Sequence, residues 1–143
     1  MRNTIKMKSK TRVNVFYKKK VFIGFDVSKT AEKLLALEKK NNTEVNIIFA
    51  GSSFIKEMNL NYRMKNTDTD VISFENEGGG EIYISVDRAK TDAAELGITL
   101  KEEYLRLLIH GLLHVIGYDH IKDADFKKMN IKEKKYLEVF YKK

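Results

Sequence analysis

His110-Gly111-Leu112-Leu113-His114-Val115-Ile116-Gly117-Tyr118-Asp119-His120 contains all three histidines of the chain. An α-helix turns about 100° per residue, so His110 and His114 fall about 40° apart on one face and about 6 Å apart along the axis. Two imidazoles at that spacing reach one metal ion. In a continued helix His120 would point about 240° away from His114. Gly117 removes that difficulty, because glycine takes the left-handed conformation that ends a helix and turns the chain back. His120 can then return as a third ligand. Three neutral nitrogens leave a fourth position open, which is the layout of a catalytic rather than a structural zinc site. Upstream, Thr99 and Glu102 form a capping box that opens this helix. Tyr104, Leu105, Leu108, Leu112, Leu113 and Val115 make it apolar nearly all round, so it is expected to be central and buried.

The other elements are read outward from that helix. Arg12–Tyr17 alternates and reads as a strand, with Val21–Phe25 either extending it or leading out of it. From Ser28 to about Lys40 the positions Ala31, Leu34, Leu35 and Leu37 have helical spacing. Val45–Ala50 is a short apolar run, a buried strand, and Gly51-Ser52-Ser53 caps a short helix reaching Tyr62. Asp70–Phe74 and Glu81–Val86 read as an antiparallel pair around a flexible tip, Gly78-Gly79-Gly80. A helix over Asp87–Leu96 ends at Gly97, and a last one runs from about Ala124 to Phe140, with Phe126, Met129, Tyr136, Leu137 and Phe140 as its core face. The expected fold is α+β: a small mixed four-stranded sheet packed with about five helices, the metal site lying on the central buried one. At least one strand pair should be parallel, through a right-handed crossover.

The 143 residues suit one domain, 1–143, large enough to bury about two-thirds of its unfolded surface. The chain has no cysteine, so a metal must take its ligands from His, Asp or Glu. No apolar run approaches the roughly 18 residues of a membrane span, and no apolar segment follows the charged N-terminus. A cytoplasmic protein without a membrane partner is expected. Residues 1–20 carry eight basic and no acidic side chains, leaving 19 basic against 20 acidic beyond them. The net charge of +7 therefore comes from the N-terminus. Residues 1–10 read as a flexible basic arm, either meeting a polyanion such as RNA or simply solvated.

The histidine block matches the HxxxHxxGxxH frame of the metzincin proteases, but Gly111 occupies the place of their general-base glutamate. Without that carboxylate the peptidase mechanism lacks its proton acceptor. Composition and spacing thus point to a metal-dependent hydrolase, with a polyanion among its candidate substrates, and away from proteolysis.

Three stretches together resemble the YbeY family of bacterial endoribonucleases: Asn59 through Phe74, Gly80-Glu81-Ile82-Tyr83-Ile84-Ser85, and His110 through His120. Met129-x-x-x-Glu133 is also similar. The likeness covers about residues 44–133. Glu81 replaces the family's usual aspartate, and Glu75 stands where a proline commonly follows Ser-Phe. The resemblance implies a zinc-dependent endoribonuclease acting on single-stranded RNA. It also implies a role in maturing the 3′ end of small-subunit (16S) ribosomal RNA and in ribosome quality control, with the small subunit or its factors as partners. His110, His114 and His120 would hold one Zn2+ per chain. Arg63 would grip the scissile phosphate, the alternative being an ion pair with Asp68 or Asp70. Asp119 could orient a ligand imidazole or merely serve the turn. Lys65 is a possible RNA contact, and Tyr118 reads as packing. Two other functions stay open: a metallohydrolase of another substrate class, and a ribosome-associated RNA-binding factor with a structural metal.

Overall fold

The computed structural model describes residues 11–63, 69–118 and 123–141, Arg63 by its backbone only. The expected arm of residues 1–10 lies outside them. The elements follow in the order β1 (Arg12–Tyr17), α1 (Val27–Leu37), β2 (Glu44–Ala50), α2 (Ser52–Arg63), β3 (Val71–Asn76), β4 (Gly79–Ser85), α3 (Val86–Leu96), α4 (Leu100–Val115) and α5 (Asp123–Tyr141). The four strands form one sheet in the order β1-β2-β4-β3. β1 and β4 both run parallel to the central β2, and β3 pairs antiparallel with β4 at one edge. The mixed α+β architecture is the one expected. No described helix is long and apolar enough to cross a membrane.

A period of two sorts the strand residues between the sheet's faces. Val45, Ile47 and Phe49 of β2, with Ile82 and Ile84 of β4, join the main core beneath α1 and α4. Ile48 and Ala50 of β2 point the other way, and with Ile55 of α2 and Ile72 of β3 they build a second, smaller core. Each such valine, isoleucine or phenylalanine side chain, fully buried, contributes about 1.5–3 kcal/mol. β2 is thus apolar on both faces, which explains why it reads as a continuous apolar run.

Three expectations need correction. The glycines of residues 78–80 are not a flexible tip: the strands extend to Asn76 and from Gly79, leaving only Glu77-Gly78 as the turn. Gly78 supplies the positive φ of that turn, +85°. A Cβ on Gly79 would lie 1.7 Å from the Glu44 carbonyl oxygen, and one on Gly80 2.2 Å from that of Phe74. These two residues let neighbouring backbone come close. The first helix starts at Val27 rather than Ser28, because Asp26 caps it by accepting from the Lys29 N–H at 3.0 Å. Of the two alternatives for Val21–Phe25, the structure takes the second, leading out of β1 without extending it. On α5, Met129 and Tyr136 are fully buried as expected, whereas Phe126 is 49% exposed, one turn before the helix meets the core.

Helix α4 is the centre of the packing, touching α1, α3, α5, β3 and β4. Glu103, Tyr104 and most positions through Val115 are buried. It comes close to the sheet at Gly111, where a Cβ would sit 2.6 Å from Ile82 Cγ2. A glycine in mid-helix costs about 1 kcal/mol against alanine, and here it lets the helix lie directly on β4. The same contact explains why no glutamate occupies this position, since Gly111 faces the sheet. Gly111→Ala is therefore expected to destabilise the fold by about 1–3 kcal/mol despite alanine's better helix propensity. The double variant Gly111→Ala/Ile82→Ala should lose less than the two single losses combined. Thermal melts of the four proteins check this, and a Gly111→Ala protein melting at or above the wild-type temperature would show that the approach is not limiting.

Candidate metal centre

Local sequence fixes both ends of the histidine helix. Thr99 Oγ1 accepts from the Glu102 N–H at 3.0 Å, forming the capping interaction read from the sequence. At the other end the helix stops at Val115, and Gly117 takes φ +113°. The Gly117 N–H donates to the His114 carbonyl at 3.0 Å and the Tyr118 N–H to that of Leu113 at 2.9 Å. The chain thus turns directly after His114, as a glycine-capped helix should.

His110 and His114 lie side by side on α4, half-buried, their ring centroids 4.6 Å apart and their planes at 72°. Behind His110 stands Glu133 of α5, whose Oε2 is 2.5 Å from His110 Nδ1. A carboxylate in that place accepts the Nδ1–H, fixes the tautomer and leaves Nε2 with its lone pair for a metal. Of the other residues singled out, Lys65, Asp119 and His120 lie outside the described residues. Arg63 is the last residue of α2, and its side chain lies outside them too.

Tyr118 does more than pack. Its hydroxyl donates to Glu38 Oε1 at 2.8 Å, and the Glu38 carboxylate also accepts from Lys132 Nζ at 2.9 Å and from the Tyr136 hydroxyl. The Glu38 side chain is only 7% exposed. Burial alone would raise its pKa, but hydrogen bonds from Tyr136, Lys132 and Tyr118 outweigh burial and hold it below the ordinary carboxylate value. Burial and the same carboxylate push the Tyr136 and Tyr118 hydroxyls up. One charged group thus ties the end of α1 to α5 and to the turn that follows the second histidine.

Two of these residues had only faint sequence signals. Glu133 entered the sequence reading only through the family-like Met129-x-x-x-Glu133, without a role, although it falls on the α5 face of Met129, Tyr136 and Leu137. Glu38 follows α1 directly, where nothing local distinguishes it from the neighbouring charged residues. A group the sequence did not suggest is Asp70, Asp92 and Glu103, whose carboxylates lie within 4.8 Å of one another. Glu103 is buried, which raises its pKa against the pull of Arg106 at 2.5 Å. Asp92 has Arg88 at 3.7 Å. Guanidinium groups already serve two of the three acids.

A scan against family models matches residues 10–141 to the model described as Endoribonuclease YbeY. The chain belongs to the YbeY family. Its curated relatives include Endoribonuclease YbeY of Aquifex aeolicus, 38% identical over 139 residues, with 92% of this chain and 89% of that one covered. Endoribonuclease YbeY of Bacillus pumilus is 40% identical over 131 residues, covering 76% and 82%. Among solved structures, the solution structure of TM1509 from Thermotoga maritima matches with a TM-score of 0.66 and 34% identity, over 88% of this chain and 87% of the other. The YbeY model thus takes in all nine elements described above. Of this chain's departures from the family's usual residues, Glu81 accepts a hydrogen bond from Tyr83 at 2.8 Å, a contact within β4.

A zinc-type ion suits the donor set present. Two imidazoles share one helix face, a carboxylate backs one of them, and the chain offers no competing thiolate. Glu133→Ala is expected to weaken zinc affinity about 10–100-fold, the usual cost of losing a ligand's outer partner. Zinc affinity by competition with a chelator, together with the melting temperature of the metal-free protein, checks this. Unchanged affinity would show that Glu133 only packs.

Proposed function

We propose that this YbeY-family chain is a zinc-dependent endoribonuclease that cuts single-stranded RNA in the maturation of small-subunit ribosomal RNA. His110, His114 and His120 hold the ion, one per chain. Zinc bound there supplies a Lewis acid that polarises a phosphoryl oxygen and lowers the pKa of water toward neutrality. The observation that carries this function is the paired imidazoles of α4 with Glu133 behind the first. The names of the relatives add the substrate class, RNA. Ribosome quality control, partnership with the small subunit and a cytoplasmic location belong to the same proposal.

The remaining work falls to this chain's own side chains. Glu133 holds the His110 ring in one tautomer throughout the reaction, so that Nε2 never needs to be deprotonated or turned. Arg63 grips the scissile phosphate, its planar fork matching two oxygens and its charge opposing the negative charge that builds up during displacement. Arg63 closes α2, and Asp70, shortly beyond it in the chain, lines the same cavity as His110. Gly111 carries no carboxylate, and its place against Ile82 admits none. A proton acceptor of the metzincin kind is therefore absent from α4, in keeping with a phosphodiester substrate whose cleavage depends on positioning and charge neutralisation. Asp119 and Lys65 are assigned supporting roles, the first behind a ligand imidazole and the second on the RNA backbone.

Zinc-loaded protein incubated with single-stranded RNA should cleave it, and a chelator should stop the reaction. Arg63→Ala should keep its zinc and melt near the wild-type temperature, while cleaving about 10²–10³-fold more slowly. Arg63→Lys should recover only part of the rate, since an ammonium keeps the charge without the two-pronged geometry. An alanine variant that melts early but cleaves normally per folded molecule would instead make Arg63 a structural ion-pair residue.

A further inference from the structure

A cavity of about 480 Å³ opens beside His110, between the start of β3, the middle of α4 and α5. Its walls include Val71, Leu107 and Leu137, and Asp70 and Asn130 add polar groups. His110 and Glu133 line it as well, so it opens onto the first of the paired imidazoles. We infer that this cavity is a base-reading subsite, which takes the nucleobase next to the bond being cut and distinguishes bases by their hydrogen-bonding edges. The inference rests on the ribonuclease function proposed above.

Charge argues for a base rather than a phosphate. Arg106 and Lys134 line the cavity, but so do the carboxylates of Asp70 and Glu133, so away from the metal edge at His110 its side chains set up no net positive field. Arg106 is moreover held at 2.5 Å by the buried Glu103. A phosphate would meet two carboxylates for each cation still free to turn toward it. A nucleobase has the complementary character, with apolar faces and a polar edge. The aliphatic walls can hold its faces, and the volume leaves room for its sugar. The edge would meet Asp70, a pure acceptor when ionised, and Asn130, which both donates and accepts. Amino and imino groups on guanine, adenine or cytosine can donate to Asp70. Uracil presents two carbonyls and a single imino group, the poorest match. A site built to hydrogen-bond one edge rejects the wrong edge by leaving its own polar groups unpaired.

The test uses the full-length, zinc-loaded protein and a randomised single-stranded RNA, with the new ends sequenced. Wild-type protein should show a base preference at one position beside the cut, with uracil disfavoured there. Asn130→Ala should lower kcat/KM for the preferred base about tenfold toward that of the others, the effect of one hydrogen bond. Asp70→Asn, which adds a donor, should move the preference toward bases presenting a carbonyl at that edge. Zinc content and melting temperature should stay at wild-type values in both, which a merely structural role would not allow. If the wild-type protein cuts RNA but both variants keep its preference, or it shows none, the subsite is wrong and the ribonuclease function stands. If the metal-loaded wild-type protein cuts no RNA at all, the function fails and the subsite with it.

Discussion

The approach of α4 to β4 at Gly111 and Ile82 governs the layout of this protein. A side chain at residue 111 would reach within 2.6 Å of a branched, fully buried isoleucine. Without one, the helix lies flat on the sheet over its apolar length, and the histidines on either side of Gly111 sit at its margin beside α5. That constraint also separates this chain from metal hydrolases that place a glutamate beside their first histidine. The space such a carboxylate would need is filled by the sheet.

Charged groups organise the second half of the site. Glu133 brings α5 to His110, and Glu38, buried among Tyr118, Lys132 and Tyr136, brings the end of α1 to the same helix and to the turn after Gly117. A buried carboxylate with three donors is costly to break, since removing one partner leaves the others unsatisfied. The two contacts grip the same stretch of α5 around Lys132, Glu133 and Tyr136, and residues 119–122 join the Tyr118 turn to α5 in the chain. The third histidine belongs to that connection.

Much of this was legible in the sequence. The histidine spacing, the Thr99 cap and Gly117 fix the helix and its end by local rules, and the structure follows them. The short, bounded apolar run of β2 likewise marks it as the buried strand at the centre of the sheet. Long-range packing was not legible. Whether Gly79 and Gly80 form a tip or lie within a strand depends on the carbonyls of Glu44 and Phe74, which the local pattern does not reveal. The parallel pairing of β2 with β4 depends likewise on where α2 and β3 send the chain. Glu133 stood out only within the family-like Met129-x-x-x-Glu133, with no role attached, and the role of Glu38 arises from partners 80 to 98 positions away. Tyr118, read as packing, acquires its hydrogen bond from that same residue.

The account turns on whether α4 holds a metal through its paired imidazoles. The most direct measurement is zinc content per chain, by elemental analysis, of wild-type protein and His114→Ala after equilibration with a competing chelator. Circular dichroism on the same samples would show that both are folded. The account predicts about one zinc per wild-type chain and essentially none on the folded variant, because the two remaining histidines cannot complete a tetrahedral site. A folded His114→Ala protein that retained one zinc per chain would contradict it.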